Sequence, residues 1–306
     1  MRVPNFSVVG AARSGTTGIV NALRAHPDVF MCEPKEPHYF AFHGKSLDFT
    51  GPGDEQNMNK RAVVERQKFL SLFDGAPSDV VALGEGSVSS LYYSQESIQE
   101  MLEINPEYRA VIVLRDPAER SFSAYQYLKA RGFEDASTFR EALALEDWRV
   151  EANYHHLWHY RRMSLYASDV KAYLEAFGGD RVLILFQEDV EADLGAAMTA
   201  LCRFLGLREV DLQVSTERVN ASGVARSKLI GQTLGGISRV GFVRDLVRRL
   251  TSFEFRERVR NRVLRRTSIE PEDRAFLASY FESDLEELGS TFSRYGIARP
   301  MWIGRI

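Results

Sequence analysis

Along the chain, short runs of apolar and β-branched residues give way to polar turns. Longer stretches follow in which apolar side chains recur every three to four positions. Phe6, Ser7, Val8 and Val9 predict a buried strand, residues 10–15 a turn, and residues 16–25 a helix with Ile19, Val20 and Leu23 inward. The apolar runs at 79–83, 108–114 and 181–186 predict three more strands. Helical periodicity covers 94–104, 138–146, 155–177 and 194–205. A last helix is expected from Pro271, with Glu272 and Asp273 in its first turn, to a stop at Gly289. Residues 44–59 are rich in Gly, Pro, Asp and Asn and predict a long loop. Continuous apolar strands separated by helices imply an α/β fold of three layers, a central parallel sheet flanked by helices, with an α-rich C-terminal part.

Composition narrows the function more than the fold. The 306 residues carry a net charge of −3, which gives no global electrostatic case for a nucleic acid partner or an anionic membrane. No stretch approaches the ~20 apolar residues of a membrane span. Residues 1–6 run straight into the first strand, so no signal peptide is expected and a cytoplasmic protein is. Cys32 and Cys202 have no metal-ligand spacing and are expected as buried thiols. No composition shift separates two cores, so one domain over residues 1–306 is expected, with 208–270 a lid or substrate-facing helical region. Within it, residues 239–266 hold ten arginines and three acids. That segment reads as a solvated helical face, a basic lid over an acidic or lipid-linked acceptor, or a peripheral membrane contact.

Candidate chemistry concentrates after the first strand. Gly10 and Gly15 have the spacing of the phosphate loop G-x-x-x-x-G-K-[ST], but Thr16 stands where its lysine would be and the nearest cation is Arg13. A kinase or NTPase neutralises a polyphosphate with that lysine and Mg²⁺. A sulfuryl group carries one negative charge, so one arginine, hydroxyls and backbone N–H groups can suffice without a metal. Sulfuryl transfer, a P-loop kinase or NTPase with a non-standard loop, and a catalytically silent nucleotide-binding protein are the three readings.

Arg13-Ser14-Gly15-Thr16-Thr17 resembles the [KR]-[SG]-G-T-[TR] loop of sulfotransferases that use 3′-phosphoadenosine-5′-phosphosulfate (PAPS). The resemblance implies a P-loop-like fold, no required metal, and a 5′-phosphosulfate held by Arg13, Ser14, Gly15, Thr16 and Thr17, with Arg13 also acting in catalysis. Residues 111–125, containing Arg115-Asp116-Pro117-Ala118-Glu119-Arg120, are similar to the family's L-R-[DN]-P-x-x-R-x-x-S-x-Y motif. That likeness implies that Arg115 and Ser123 bind the donor's 3′-phosphate. Arg120 is expected to pair with a nearby carboxylate and brace the turn.

Residues 26–40 resemble the H-P-x-[VI]…E-x-H-[FY]-F segment of the heparan sulfate branch, which implies Glu36 as general base with His38 beside it. Two residues apart in an extended segment, these side chains would share a side. Glu33 is the rival carboxylate, and Lys35 a group that could orient acceptor or sulfuryl. The branch's Gly-Glu-Lys element reads Gly84-Glu85-Gly86 here, so Ser87 or an arginine from elsewhere would have to replace the lysine. Residues 219–227 resemble a family loop that implies Arg226 over the 3′-phosphate, with Ala225 in a proline position. The acceptor would be a hydroxyl or amine of a small molecule, carbohydrate or lipid. Tyr154, His155, His156, Trp158, His159 and Tyr160 would line its pocket or pack a helix on the sheet.

Overall fold

The structure, a computed structural model, describes residues 2–210, 224–225, 264–265 and 268–304. Five strands form one sheet in the order β2-β3-β1-β4-β5: β1 (Phe6–Gly10), β2 (Val29–Met31), β3 (Ala82–Glu85), β4 (Arg109–Leu114) and β5 (Val182–Phe186). Every neighbouring pair is parallel. A separate antiparallel bridge joins β6 (Val224–Ala225) to β7 (Leu264–Arg265).

Because side chains alternate along a strand, an all-apolar strand feeds two cores at once. Val111 and Val113 of β4 join Phe6, Val8, Ile19, Leu23, Leu201 and Leu205 on one face, under helix α1 (Thr16–Arg24) and the helix Leu194–Leu205. Ala110, Ile112 and Leu114 join Val9, Met101, Phe122, Val170, Leu174, Phe281 and Leu288 on the other. That face carries the helices Ser94–Ile104, Pro117–Ala130, Ala167–Phe177 and Pro271–Arg294.

The chain therefore leaves β1 toward one face and β4, its neighbour, toward the other. Between the carboxyl ends of two such strands an open α/β sheet has its crevice, the usual place for a ligand.

Several expected elements differ. The strand expected at 79–83 lies at Ala82–Glu85, because β3 pairs Gly84 with Phe6 and Glu85 with Ser7. The three-residue β2 was too short to register as a run. The helix expected at 138–146 is two short helices, Phe139–Ala144 and Glu146–Glu151.

The helix expected at 155–177 is two 3₁₀ turns, His156–Trp158 and Arg162–Ser164, before Ala167–Phe177. Side chains replace its backbone ladder. The Tyr160 carbonyl accepts from Arg120 Nη2 (2.5 Å) and Ser121 Oγ (2.7 Å), while Glu146 accepts the N–H groups of Arg161 (2.7 Å) and Arg162 (2.9 Å). Gly289 does not stop the last helix, which runs to Arg294; a Cβ there would lie 3.2 Å from Ile303 Cγ2, so this glycine serves close packing.

Candidate active site

The loop after β1 is fastened to β4 by the Ala11 N–H, which donates to the Val113 carbonyl at 2.7 Å. Arg13 (φ 70) and Gly15 (φ 85) both take the left-handed conformation, which turns successive N–H groups inward as an anion nest does. Gly15 precedes α1 without a side-chain cap, so the helix presents its N-terminal N–H groups and positive dipole end to the loop. Ser14 is fully buried, and its Oγ has no hydrogen-bond partner among the described residues. A buried hydroxyl without a partner is costly, and a bound anionic oxygen would satisfy it. The loop therefore fits a phosphosulfate.

At the end of β4, Asp116 caps the helix Pro117–Ala130, its Oδ1 accepting from the Glu119 N–H at 2.9 Å. Pro117 suits the first helical position. Arg115 donates from Nη1 to the Arg13 carbonyl (3.2 Å), and its own carbonyl accepts from the Tyr166 hydroxyl (3.1 Å). Its Nη2 lies 3.5 Å from Glu119 Oε2. Arg13 Nε donates to Ser123 Oγ at 3.4 Å, and the Arg13 guanidinium lies 4.4 Å over the Tyr127 ring. The two halves of the expected donor site thus meet in three dimensions.

Arg120 does not. It is buried and pairs with no carboxylate among the described residues, donating instead to Ser164 Oγ (2.6 Å) and the Tyr160 carbonyl. It braces the 3₁₀ segment beneath the site.

The third group follows β2. Glu36 (φ 61) and His38 (φ 57) are both left-handed rather than extended, so their convergence has another origin. His38 precedes helix α2 (Tyr39–Phe42), and its N–H donates to Ser87 Oγ (2.9 Å). Its Nδ1 meets Ser89 Oγ at 2.8 Å, and its Nε2 sits 3.7 Å from Glu36 Oε2. The other Glu36 oxygen takes the Lys35 ammonium. Burial alone would raise the Glu36 carboxyl, but Lys35, with His38 and Arg13, outweighs it and holds the group below its ordinary value. Burial pushes His38 down to about 4, against the pull of Glu36, which leaves the imidazole neutral at pH 7. Glu33 turns away and pairs with Arg24 at 2.7 Å on the surface.

Beneath this group lies Glu85, buried and pushed up to about 7 by that burial. Its Oε2 accepts from Ser87 Oγ at 2.5 Å, and Ser7 also lies against the carboxyl. Ser87 is thus committed to Glu85 and His38. A side chain at position 86 would have to displace Val20, since a Cβ there would lie 2.7 Å from Val20 Cγ2. The cation whose charge reaches both Glu36 and Glu85 is Lys35.

In the aromatic run, His155 Nδ1 pairs with Asp54 Oδ1 (2.5 Å) and His159 Nδ1 with the Tyr92 hydroxyl (2.9 Å). The His156 ring centroid is 5.8 Å from that of His38, and neither His156 nitrogen has a hydrogen-bond partner among the described residues. Ser89, Asp54 and Tyr166 were not singled out from sequence; single polar residues whose partners lie 51 to 101 positions away leave no local signature. Arg226 lies outside the described residues, as does the 239–266 segment apart from the backbone of β7.

Residues 4–211 match the description "Sulfotransferase family". A solved sulfotransferase from Alicyclobacillus acidocaldarius is 30% identical, with 99% of each chain covered and a TM-score of 0.73. Human heparan sulfate glucosamine 3-O-sulfotransferase 3B1 is 23% identical over 262 residues, which cover 82% of this chain and 60% of that protein. The chain spans 44 to 60% of the length of the curated relatives it matches first. A mouse sulfotransferase, SULT7A1, solved with 3′-phosphoadenosine 5′-phosphate (PAP), shares the fold at a TM-score of 0.50 and 13% identity, covering 96% of this chain and 89% of that one.

Proposed function

Because the chain belongs to the sulfotransferase family, we propose that it moves the sulfuryl group of PAPS to a hydroxyl or amine of a small-molecule, carbohydrate or lipid acceptor. The observation that carries this reading is the junction of the two phosphate-binding turns, Arg115 Nη1 to the Arg13 carbonyl and Arg13 Nε to Ser123 Oγ. Arg13, Ser14, Gly15, Thr16 and Thr17 would hold the 5′-phosphosulfate, and Arg115 and Ser123 the 3′-phosphate, with Arg226 assigned to the same end from sequence alone. PAPS, whose desulfated product PAP occupies the mouse structure, supplies an activated sulfuryl group.

Within this site the residues divide the work. Glu36, kept ionised by Lys35, takes the proton of the acceptor. Neutral His38, held by Ser89, lies beside the Glu36 carboxylate as its helper or as the alternative base. Arg13 and Lys35 place positive charge where the leaving phosphate oxygen gains charge. The alternative anion for this loop, a triphosphate with Mg²⁺, has no loop lysine to meet it.

No helix among the described residues is long and apolar enough to cross a membrane. Both cysteines are free and buried, which suits a reducing compartment, and we place the enzyme in the cytoplasm. Donor-dependent sulfation across a panel of sugars, phenols, lipids and amines tests the reading. Transfer to one class identifies the acceptor, and hydrolysis or transfer of ATP γ-phosphate instead contradicts it.

A further inference from the structure

The matched family segment ends at residue 211, yet the C-terminal helix Pro271–Arg294 reaches back to the turn that carries Arg115. Arg274, in its first turn, donates from Nη2 to Glu119 Oε1, and its Nη1 lies 3.8 Å from Asp116 Oδ2. The second oxygen of Glu119 is the one 3.5 Å from Arg115. One carboxylate is thus shared by two guanidiniums, one from the donor turn and one from a helix more than 150 residues later.

That sharing has an electrostatic consequence. A 3′-phosphate dianion arriving at Arg115 must displace Glu119 as its counter-ion and then lie beside a carboxylate. Like charges at that distance oppose binding unless the carboxylate is neutralised by something else. Arg274 is placed to do so. It takes the Glu119 oxygen that Arg115 does not face, so the carboxylate keeps a counter-ion when Arg115 Nη2 turns to the phosphate.

Resting on the donor reading above, we propose that Arg274 is a positioning residue for the 3′-phosphate. It acts through Glu119, without touching the nucleotide, by holding the carboxylate that would otherwise neutralise Arg115. All four groups are partly solvated, so the effect is screened by salt.

The test is a double-mutant cycle on nucleotide affinity, read by calorimetry with the full chain. Arg274→Ala is expected to weaken PAP about five- to tenfold at low salt and about twofold or less at ~0.5 M salt. In a Glu119→Gln background the same substitution should cost less than twofold, and Glu119→Gln alone should bind PAP as well as or better than the parent. Adenosine 5′-monophosphate, which lacks the 3′-phosphate, should bind every variant alike. Equal losses in both backgrounds, equal losses for both nucleotides, or no loss at all in Arg274→Ala would overturn the inference. Arg115→Ala, measured in parallel, keeps the two readings apart. If it retains PAP affinity the donor assignment itself fails, whereas if it abolishes binding while Arg274→Ala changes nothing, only the role of Arg274 falls.

Discussion

Arg115 donates a hydrogen bond to the Arg13 carbonyl at 3.2 Å, so the arginine after β4 supports the backbone of the loop after β1. Removing it costs the brace of the neighbouring loop and, on the proposed donor reading, a phosphate contact. Arg115→Ala should weaken PAP binding by about 10- to 150-fold, given about 1.5–3 kcal/mol for hydrogen bonds to charged groups. Arg115→Lys should recover only part of this, since a point charge cannot serve carbonyl and phosphate as a fork does. Titration calorimetry of both variants checks the order, and unchanged affinity in Arg115→Ala would remove the residue from the site.

Glu36 is the second target. Its replacement by Gln should lower kcat by about 10²–10⁴, the usual range for a lost general base, with PAP affinity kept. Because Lys35, His38 and Arg13 hold its carboxyl below the ordinary value against burial, the active, deprotonated form persists as pH falls. The acidic limb of kcat/KM should therefore lie below pH 4.5, as far as the fold survives. His38, pushed to about 4, stays neutral above that value. A limb near pH 6.5, an ordinary imidazole's value, would point to a different base.

Glu85 links the site to stability. Its folded-state value of about 7 lies above its ordinary 4.5, so the native chain binds this proton more tightly than the unfolded one. Stability from this group is therefore greatest below pH 4.5 and falls as pH rises to about 7, by on the order of 3 kcal/mol. Glu85→Gln should flatten that slope, with its advantage over the parent growing from pH 5 to pH 8. Denaturant melts at both pH values measure it, and parallel curves would mean that Glu85 is ionised throughout.

Gly86 explains the lysine that the sequence lacks. With Val20 Cγ2 2.7 Å from where a Cβ would stand, Gly86→Ala should cost about 1–3 kcal/mol by overpacking α1 against the turn after β3. Thermal melts give the answer directly. A neutral Gly86→Ala would show that the contact relaxes freely.

Much of this was legible in the sequence where neighbours in the chain are neighbours in the site. The turn at residues 10–15 between β1 and its helix, and the strands at 6–10, 109–114 and 182–186, follow from local composition, whereas the left-handed Arg13 does not. Convergence on Glu36 was expected as well, though for a geometric reason that does not hold. Two left-handed residues around Pro37, with His38 fixed by Ser87 and Ser89, bring the pair together instead of an extended strand. What stayed hidden depends on long-range partners. The helical pattern at 155–177 gives way to Arg120, Ser121 and Glu146, and the tie from Arg274 to Glu119 joins segments that no local periodicity connects.

The most direct test of sulfuryl-donor binding is calorimetric titration of the protein with PAP in the presence of a chelator, beside ATP with Mg²⁺. Tight PAP binding without metal, lost in Arg115→Ala, is the expected result. Binding of Mg²⁺-ATP with no heat from PAP would contradict it.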